Sequence, residues 1–313
     1  MTDPARVAWL AERRSGVGAS DVAAIMGRSP WASPYSIWAD KVGLVPLDAD
    51  DGATRDQELG RHLEPLVAQW FEEDTGLVVA GEQTVVRRPG TPWFATVDGF
   101  VVEAERCSIA DALGVFEAKK TDDRLDEWEA GPPEHYVIQA NWAMYCAGLG
   151  HAWLAALHLA FGHPVLRIYE LGADLDLQRD AVAAVEEFWG YVERREPPPA
   201  DAHRATTAAL GEVYSDPDDG AVELGPDLAD VVVELRDLKA RREILDEAVA
   251  ERENTLRQAL GEHPNGRVGG RLAVSWRPQT AQRIDTKAVR RDHGAAYDRA
   301  STTRVLRLHG SER

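Results

Sequence analysis

The sequence predicts an α/β fold in which a central mixed β-sheet is flanked by helices, followed by a long C-terminal helical arm and a small basic tail. The order of the segments predicts the core, because apolar residues at helical spacing are followed by strand-like apolar runs, then by another helix and further strands. Prolines at 197–199 end this region. Beyond them, leucines and valines keep three-four spacing along 228–256, which is typical of a long amphipathic helix.

Cap residues and glycine stops predict four helices in the N-terminal part of the chain. Ser20 and Asp21 predict one N-cap. Ser33 followed by Pro34 predicts another, because proline is favoured at the first helical position. The four helices are expected at 4–14, 22–26, 34–42 and 59–75, with an acidic loop over 46–56.

Strand-like segments occupy the middle of the chain. Asp98-Gly99 is a common turn signal, and the apolar runs on both sides of it predict a hairpin with Asp98 at its bend. An apolar helix and two apolar segments that predict a pair of strands come later. The strands are expected at 77–87, 93–104, 113–120, 152–159 and 166–171, and the helices at 136–149 and 174–194.

The chain is predicted to divide into a domain over 1–199, a linker over 200–227 and a C-terminal extension over 228–313. The extension begins with the long helix, whose apolar spacing Arg242 and Arg252 interrupt. A helix of this kind is more often packed on its own protein than free as a coiled coil, and both interpretations remain open. A tight turn at Gly269-Gly270 and a strand at 271–276 are expected to follow.

The composition is that of a cytoplasmic protein. Cys107 and Cys146 are the only cysteines and have no metal-ligand spacing, which fits a reducing compartment and excludes a disulfide scaffold or a zinc knuckle. The apolar run at 7–11 is too short for a signal peptide, and two arginines follow it. Because no stretch approaches the ~20 apolar residues of a membrane span, no membrane association is expected.

The net charge of −18 would ordinarily argue against a nucleic-acid partner. The charge is unevenly distributed, because residues 266–313 hold eleven Lys or Arg against four Asp or Glu, while residues 1–265 carry −25. An acidic protein can act on DNA where its groove is locally basic or where cations neutralise its carboxylates. The composition therefore argues more strongly against a non-specific DNA-coating protein than against an enzyme.

The stretch 114–120 carries a pattern of charged residues that suits phosphodiester chemistry. Side chains alternate faces along a strand, so Glu117 and Lys119 point the same way and Ala118 points the other way. A turn at Asp98 could bring a second carboxylate beside Glu117. Two carboxylates suit Mg²⁺ or Mn²⁺, and a lysine one step along the strand can orient or activate the attacking water.

The same Glu-x-Lys pattern also occurs by chance on solvated strand faces, which is the commoner explanation when it stands alone. The lysine usage of this chain favours the functional interpretation. Only five of its 35 basic residues are Lys, at 41, 119, 120, 239 and 287, so a lysine here is not an ordinary surface charge. Lys is also a compact donor whose pKa shifts readily on burial, whereas Arg stays charged.

Two further sets of polar residues could complete a site around Glu117. Glu64 precedes Pro65, which frees a backbone carbonyl and indicates an irregular turn, so Glu64 could supply a third metal carboxylate. Tyr136 and Gln139 lie on the apolar helix after the Glu-x-Lys strand, and a buried Gln needs hydrogen-bond partners. A solvent-facing role for Glu64, and backbone partners for Tyr136 and Gln139, are the structural alternatives.

The stretch 14–20 has the composition of a phosphate site. Arg14 supplies a charged fork, a glycine-rich turn follows, and Ser20 offers a hydroxyl and backbone N–H groups at a predicted helix start. Ordinary helix capping explains Ser20 equally well.

Other common site types are not indicated. The histidines show no i,i+4 pair for a metal, and there is no nucleophile elbow, P-loop or dinucleotide fingerprint. Tryptophans could stack on bases, but four of them fall on helical apolar faces and are expected in the core. These four are Trp38, Trp70, Trp142 and Trp189.

The motifs occur in a specific order, namely Arg14-Ser-Gly-Val-Gly-Ala-Ser20-Asp21, Ser33-Pro34-Tyr35-x-x-Trp38, Gly60-x-x-x-Glu64-Pro65, Asp98-Gly99, Glu117-Ala-Lys119 and Tyr136-x-x-Gln139. This order resembles the YqaJ-like viral recombinase family, phage exonucleases related to lambda exonuclease within the PD-(D/E)xK superfamily. The resemblance covers residues 8–195, and the arm and basic tail are similar to the C-terminal extension of many phage members. Lambda exonuclease differs in the turn after Arg14, which leaves the choice between Arg13 and Arg14 open.

The resemblance implies a restriction-endonuclease-like core and a metal-dependent 5′-to-3′ exonuclease on double-stranded DNA ends. It implies that the enzyme acts with a single-strand annealing protein in phage recombination, inside a bacterial host or phage-infected cell, and that it forms a ring-shaped homo-oligomer. Two alternatives are a structure-selective endonuclease of the same superfamily and a catalytically idle adaptor that binds DNA or the annealing protein.

The resemblance also implies a role for each site residue. Glu64, Asp98 and Glu117 would hold two Mg²⁺ or Mn²⁺ ions, with the Ala118 carbonyl as a backbone ligand. Lys119 would position the attacking water. The supporting residues would be Gln139 and Tyr136, and the residues that bind a phosphate near the DNA end would be Ser20 with Arg14 or Arg13.

Overall fold

A computed structural model describes residues 11–45, 55–105, 108–122, 128–159, 163–216, 220–280, 286–294 and 305–308 of the 313-residue chain. The chain divides into two compact units, Met1–Tyr214 and Ser215–Arg313. The first part of the helix predicted at 4–14, most of the acidic loop predicted over 46–56, and Cys107 lie outside the described residues.

Residues 11–14, the described end of the helix predicted at 4–14, are helical, and the helices α1 (Ala19–Ile25), α2 (Pro34–Lys41) and α3 (Arg55–Thr75) follow. Ser33 caps α2 as predicted, because its Oγ accepts a hydrogen bond from the Ser36 N–H at 3.1 Å. The predicted cap at Ser20-Asp21 is wrong. Gly18 takes the capping position of α1, since the Asp21 carboxylate reaches back and accepts from the Gly18 N–H at 3.1 Å.

The described part of the first unit contains the strands β1 (Val78–Ala80), β2 (Thr84–Arg87), β3 (Phe94–Val97), β4 (Gly99–Val102), β5 (Gly114–Thr121), β6 (His151–His158) and β7 (Val165–Gly172). Five of them form a central sheet in the order β1-β4-β5-β6-β7. β5 and β6 run parallel, whereas the other neighbouring strands are antiparallel. The predicted mixed sheet is therefore confirmed, as is the pairing of the last two strands.

The predicted hairpin around Asp98 is wrong. β3 pairs with β2 in a separate two-stranded sheet, while β4 pairs with β1 and β5 in the central sheet. Asp98 is the single residue between β3 and β4, too short a connection to reverse the chain, so the chain passes at Asp98 from one sheet into the other. The segment predicted as one strand over 77–87 is also two strands, β1 and β2, separated by a turn.

Helices cover both faces of the central sheet. On one face Val67 and Phe71 of α3 pack against Phe116 of β5 and neighbouring apolar residues. α3 continues without a break through Pro65, so the irregular turn predicted there does not occur. The other face is covered by α1 and α2 together with α4 (Glu134–Ala147) and α5 (Leu175–Arg194).

The four tryptophans predicted to lie in the core do pack there. Trp38 and Trp142 are buried, and Trp70 and Trp189 are half-buried against the two core clusters.

A further helix, α6 (Arg204–Val213), packs on α2 within the first unit. The Thr206 hydroxyl donates to Ser33 Oγ at 2.7 Å, which ties α6 to the N-cap of α2. This helix lies within 200–227, the stretch predicted as a linker.

The second unit contains α7 (Pro226–Leu260), β8 (Asn265–Val268), β9 (Arg271–Ser275) and α8 (Thr286–His293). Gly269 and Gly270 make the predicted turn between β8 and β9, with left-handed φ values of +57° and +79°. Most apolar side chains along α7 are exposed and Leu260 alone is buried, so the packing expected for its apolar face is not seen within this unit. None of the described helices combines the length and apolarity that a bilayer crossing requires.

Candidate active site

Glu117 and Lys119 of β5 form the centre of the site. Lys119 Nζ lies 2.5 Å from Glu117 Oε1, so the two side chains share one face of the strand as predicted. Glu117 is only 3% exposed. The same carboxylate oxygen accepts a hydrogen bond from the side-chain amide of Gln139 on α4, so α4 packs on the face that carries these charges.

Asp98 lies beside this pair because of the register between β4 and β5. Gly99 stands opposite Phe116 in that register, and Asp98 Oδ2 accepts a hydrogen bond from the Ala118 N–H at 2.8 Å. Position 99 favours glycine, since a Cβ atom there would overlap Val79 Cγ1 of β1 unless Val79 or the backbone shifted. The close approach of β1 and β4 therefore holds the Asp98 carboxylate next to β5.

Gln83 joins Glu64 of α3 to Asp98, and it is a residue that the sequence analysis missed. Its Nε2 donates to Glu64 Oε2 at 3.0 Å and to Asp98 Oδ1 at 3.1 Å. Gln83 also has a left-handed φ of +51°, which is uncommon for a residue with a side chain and occurs where the surroundings enforce it. The available signal was Gly81, a turn residue inside the segment that was interpreted as one strand.

One cavity of about 230 Å³ collects most of the predicted site residues. Gln83 and Thr96 also line it. The predicted residues in its wall are Arg13, Ser20, Glu64, Asp98, Glu117, Ala118, Lys119 and Gln139.

The carboxylates of this cavity lack a matching positive charge. Burial, reinforced by Asp98, raises the pKa of Glu64 to about 7. Burial also raises the pKa of Glu117 to about 7, although Lys119 acts in the opposite direction. Burial would lower the pKa of Lys119, but the Glu117 and Asp98 carboxylates outweigh it and hold that pKa above its ordinary value. Lys119 and, at Glu64, Arg61 act against the burial of these carboxyl groups but do not offset it, so the pKa values of both glutamates stay raised.

The donor chemistry of the cavity suits a divalent cation that prefers oxygen ligands. Glu64, Asp98 and Glu117 offer carboxylate oxygens, and the raised pKa values of the two glutamates indicate a missing countercharge. Across the described ranges, no three Asp, Glu, His or Cys side chains are arranged to enclose an ion as they stand. The Gln83 amide lies between Glu64 and Asp98 and donates to one oxygen of each. A role for the Ala118 carbonyl stays a prediction.

The structure brings Arg13 and Ser20 to the cavity, but not Arg14. Arg13 Nη2 donates to Ser20 Oγ at 3.1 Å. Arg14 instead lies 2.9 Å from Asp40 and donates to the Val45 carbonyl at 2.6 Å. Successive helical residues point roughly 100° apart, so the choice between adjacent arginines depends on the rotation of a short helical segment that motif spacing does not define.

The glycine-rich turn before α1 is explained by close packing. The Val17 N–H donates to the Pro92 carbonyl at 3.1 Å, and the Val17 carbonyl accepts from the Phe94 N–H at 3.0 Å. A Cβ atom on Gly16 would overlap the same Pro92 oxygen. The turn is therefore fixed beside β3, which keeps Ser20 at the cavity.

A buried ion pair, Asp21 with Lys41, supports the same segment. Lys41 Nζ lies 2.7 Å from Asp21 Oδ2 and donates to the Arg13 carbonyl at 2.8 Å. Burial alone would raise the pKa of Asp21, but Lys41 and Arg13 outweigh it and lower that pKa below its ordinary value. The scarcity of lysine in this chain was a signal for Lys41 as much as for Lys119.

Tyr136 contacts the centre of the site through Lys119, whose Nζ is 5.1 Å from the centroid of the tyrosine ring. The ring also packs against His135 at 4.1 Å and Trp128 at 5.8 Å between centroids. Tyr136 thus lies between the charged side chain of Lys119 and an aromatic cluster.

Comparison with known proteins confirms the resemblance that the motifs indicate. Residues 8–150 match the YqaJ-like viral recombinase domain. The chain is 27% identical over 315 residues to the Bacillus subtilis (strain 168) protein called Uncharacterized protein YqaJ, across 99% of this chain and 95% of that protein. Among solved structures, it is similar to an alkaline exonuclease from Laribacter hongkongensis, with 20% identity and a TM-score of 0.48 over 60% of this chain and 93% of the other. A putative exonuclease from Eubacterium rectale shows 10% identity and a TM-score of 0.42, over 74% and 98% of the two chains.

Proposed function

The chain contains a YqaJ-like viral recombinase domain at residues 8–150, and from this premise we propose that it is a nuclease that hydrolyses the phosphodiester bonds of DNA. In its specific form, the proposal is a 5′-to-3′ exonuclease that acts on double-stranded ends and depends on two Mg²⁺ or Mn²⁺ ions. The same premise supports a single-strand annealing protein as partner, a homo-oligomeric ring around DNA, and action in the cytoplasm.

The convergence of Glu64, Asp98, Glu117 and Lys119 on one cavity carries the proposal. These residues come from α3, from the junction of β3 and β4, and from β5, and all of them lie inside the matched domain. Carboxyl groups with pKa values raised by burial and by one another are an arrangement that recurs at functional sites. A purely structural cluster would be expected to contain enough cations to neutralise it.

Glu64, Asp98 and Glu117 are the residues that would hold the divalent cations. When bound, such ions supply Lewis-acid charge at a phosphate and make water easier to deprotonate. Arg13 and Ser20, at the other side of the same cavity, are suited to bind a phosphate oxygen, because a guanidinium and a hydroxyl both donate hydrogen bonds to it. Together they would orient the strand relative to Glu117.

Lys119 would orient the attacking water and would not remove its proton. Its pKa is held above the ordinary value, so the ammonium stays charged at neutral pH and can only donate hydrogen bonds. Gln139 holds Glu117 from the side of α4, and the Tyr136 ring lies over Lys119. These two residues therefore position the pair.

The test is cleavage of end-labelled linear duplex and of closed circular duplex, with and without Mg²⁺. We expect nucleotides to be released from the linear substrate only when Mg²⁺ is present, while the closed circle stays intact. Labels at the 5′ and 3′ ends of separate substrates report the polarity.

Each alternative function gives a different result in this assay. A structure-selective endonuclease would nick or cut the closed circle or a branched substrate, whereas an idle adaptor would bind DNA and leave both substrates intact. Absence of cleavage by the wild-type protein across Mg²⁺ and Mn²⁺ concentrations would overturn the proposed activity.

A further inference from the structure

Trp31 is a large aromatic side chain that remains exposed beside the candidate site. It is 58% exposed, whereas the other tryptophans near this part of the fold, Trp38, Trp128 and Trp142, are at most 4% exposed. Its backbone is nevertheless well held, because Ser29 Oγ accepts hydrogen bonds from the N–H groups of Trp31 and Ala32, both at 3.2 Å. The chain therefore presents this indole on a fixed turn between α1 and α2.

Ring contacts connect Trp31 to the catalytic charges. The indole meets His135 edge-on, with 4.6 Å between centroids and an interplanar angle of 83°, and it lies 6.2 Å from the Tyr136 ring. The Tyr136 ring in turn lies 5.1 Å from Lys119 Nζ. A single ring therefore separates Trp31 from the group proposed to orient the attacking water.

Trp31 also lines a second cavity of about 600 Å³, larger than the cavity at Glu117. Side chains from α2 and α6 form much of its wall, and the polar ones among them are Ser36, Asp40, Arg204 and Glu212. A volume of this size falls within the range of pockets that hold small organic molecules. The wall combines an aromatic surface with hydrogen-bond donors and acceptors, which are the two features that bind a nucleobase.

We propose that Trp31 and this cavity bind an unpaired nucleobase of the DNA strand whose phosphate lies at Lys119. Aromatic side chains stack on bases of any sequence, because every base has a π-face. The hydroxyl and carboxylates of the cavity would accept hydrogen bonds from base N–H groups. The inference rests on the proposed nuclease function and adds to it a binding place for one base, formed by Trp31 and the cavity between α2 and α6.

An exposed tryptophan can also anchor a protein partner, since tryptophan is enriched at the energetic centres of interfaces. Two observations favour the base. Trp31 is separated from Lys119 by one ring only, and the adjoining space is a cavity of small-molecule size whose largely apolar wall carries a few polar groups. A protein anchor is the outcome that the experiment distinguishes.

The experiment is a double-mutant cycle in which DNA affinity is measured for changes in Trp31, in one DNA base, and in both. Full-length wild type, Trp31→Ala and Trp31→Phe are titrated with 5′-phosphorylated single strands that are intact or abasic at one of the first three nucleotides, with Ca²⁺ present and the DNA checked for integrity afterwards. We expect one abasic position to weaken wild-type binding about five- to 150-fold, the range of one base–aromatic stack. Trp31→Ala should show that loss on intact DNA and no further loss at the abasic position, and Trp31→Phe should be intermediate.

Leu175→Ala is the matched control, because Leu175 is 74% exposed on α5 and lines neither cavity. If Trp31→Ala and Trp31→Phe distinguish intact from abasic DNA as well as wild type does, the base site is overturned while the nuclease function stands. An equal loss on intact and abasic DNA would likewise overturn the base site, because Trp31 would then contact the strand without recognising its base, whereas unchanged DNA binding in both variants would leave Trp31 as a protein anchor. If wild type neither binds nor cuts DNA, the proposed function itself fails.

Discussion

Two groups of buried charged side chains lie close together in the first unit. They differ in whether the protein supplies enough positive charge for their carboxyl groups. At the Asp21–Lys41 pair, a carboxylate 3% exposed meets an ammonium at 2.7 Å and Arg13 adds a second cation, so the pKa of Asp21 is lowered. At the cavity, Lys119 is shared among three carboxyl groups, and the pKa values of Glu64 and Glu117 are both raised to about 7. Cations of the protein neutralise the carboxylate of the first group, whereas they do not neutralise all the carboxyl groups of the second.

The difference separates a structural role from the functional role that we propose. A paired buried charge holds two chain segments together and needs nothing from outside, although the pairing itself adds little net stability. An excess of buried carboxylate destabilises the fold unless a cation from solution joins it. The chain uses two of its five lysines at these two places, and the number of carboxylates around each lysine distinguishes their roles.

The largest expected effect on stability comes from breaking the Asp21–Lys41 ion pair. Lys41→Met should lower the free energy of unfolding by about 3–5 kcal/mol, because Asp21 would be left buried without its partner. Urea unfolding at pH 7 measures this. Arg179→Met is the control, since Arg179 and Asp176 form an exposed pair at 2.8 Å whose loss should cost less than about 1 kcal/mol. Equal effects at the two sites would show that burial does not set the difference.

The next largest effect is expected on DNA cleavage, when Lys119 or Glu117 of the cavity is replaced. Lys119→Ala should reduce DNA cleavage by roughly a hundred- to a thousandfold, the usual loss when one positioned donor is removed, and Glu117→Ala should abolish it. Both variants should stay folded by circular dichroism. Lys120→Ala is a matched control, because Lys120 is the next residue along β5 and pairs with Asp122 at 2.9 Å. Full activity in either Lys119→Ala or Glu117→Ala would refute the site assignment.

A smaller effect is expected when Glu64 is replaced, and it is a gain in stability, whereas Lys41→Met causes a loss. A carboxyl group whose pKa is raised on folding destabilises the protein above the folded pKa and has no such effect below the unfolded pKa. Glu64→Gln should therefore stabilise the cation-free protein at pH 8 and leave it unchanged near pH 4.5. Because Glu64 is only half-buried, the expected gain is about 1 kcal/mol.

Thermal unfolding of Glu64→Gln at the two pH values, with EDTA and then with Mg²⁺, measures this gain. Mg²⁺ should stabilise wild type more than the variant. A variant that is less stable than wild type at pH 8 in EDTA would contradict the view that this group lacks positive charge.

The smallest effect is expected on DNA binding, when the basic C-terminal tail is deleted. Deleting residues 266–313 removes a net charge of +7 and should weaken DNA binding several-fold, with a shallower salt dependence, because fewer counterions would be released. Cleavage at saturating DNA should be unchanged, since the deletion takes no carboxylate from the cavity. Loss of Mg²⁺ binding in the truncated protein would contradict this separation of roles.

Sequence reasoning reached the site residues more reliably than the connections between them. Strand alternation placed Glu117 and Lys119 on one face, and their contact agrees with it. The position of Asp98 beside them was expected for the wrong reason, because the residue joins two sheets and does not turn a hairpin. Which strands pair depends on contacts distant in sequence, and a turn signal such as Asp-Gly carries no information about them.

Gln83 and Arg13 show a second limit. The role of Gln83 depends on a left-handed backbone and on two carboxylates that are distant in sequence, so the local turn signal at Gly81 could indicate a break in the strand but not this role. Arg13 and Arg14 are neighbours of identical type, and only the packing of Arg14 against Asp40 and Val45 separates them. Pattern and composition predicted which residue types would meet at the cavity, whereas their geometry required the fold.

Gly99 has a consequence for how mutational data on this protein would be interpreted. Any side chain at position 99 would meet the side chain of Val79, so either Val79 or the backbone of β4 would have to shift, and a shift of the backbone would move Asp98. A mutational scan would then place Gly99 beside the three carboxyl residues of the cavity, although it has no side chain to offer a cation. Sensitivity to substitution would in that case report the spacing of two strands and not a chemical role.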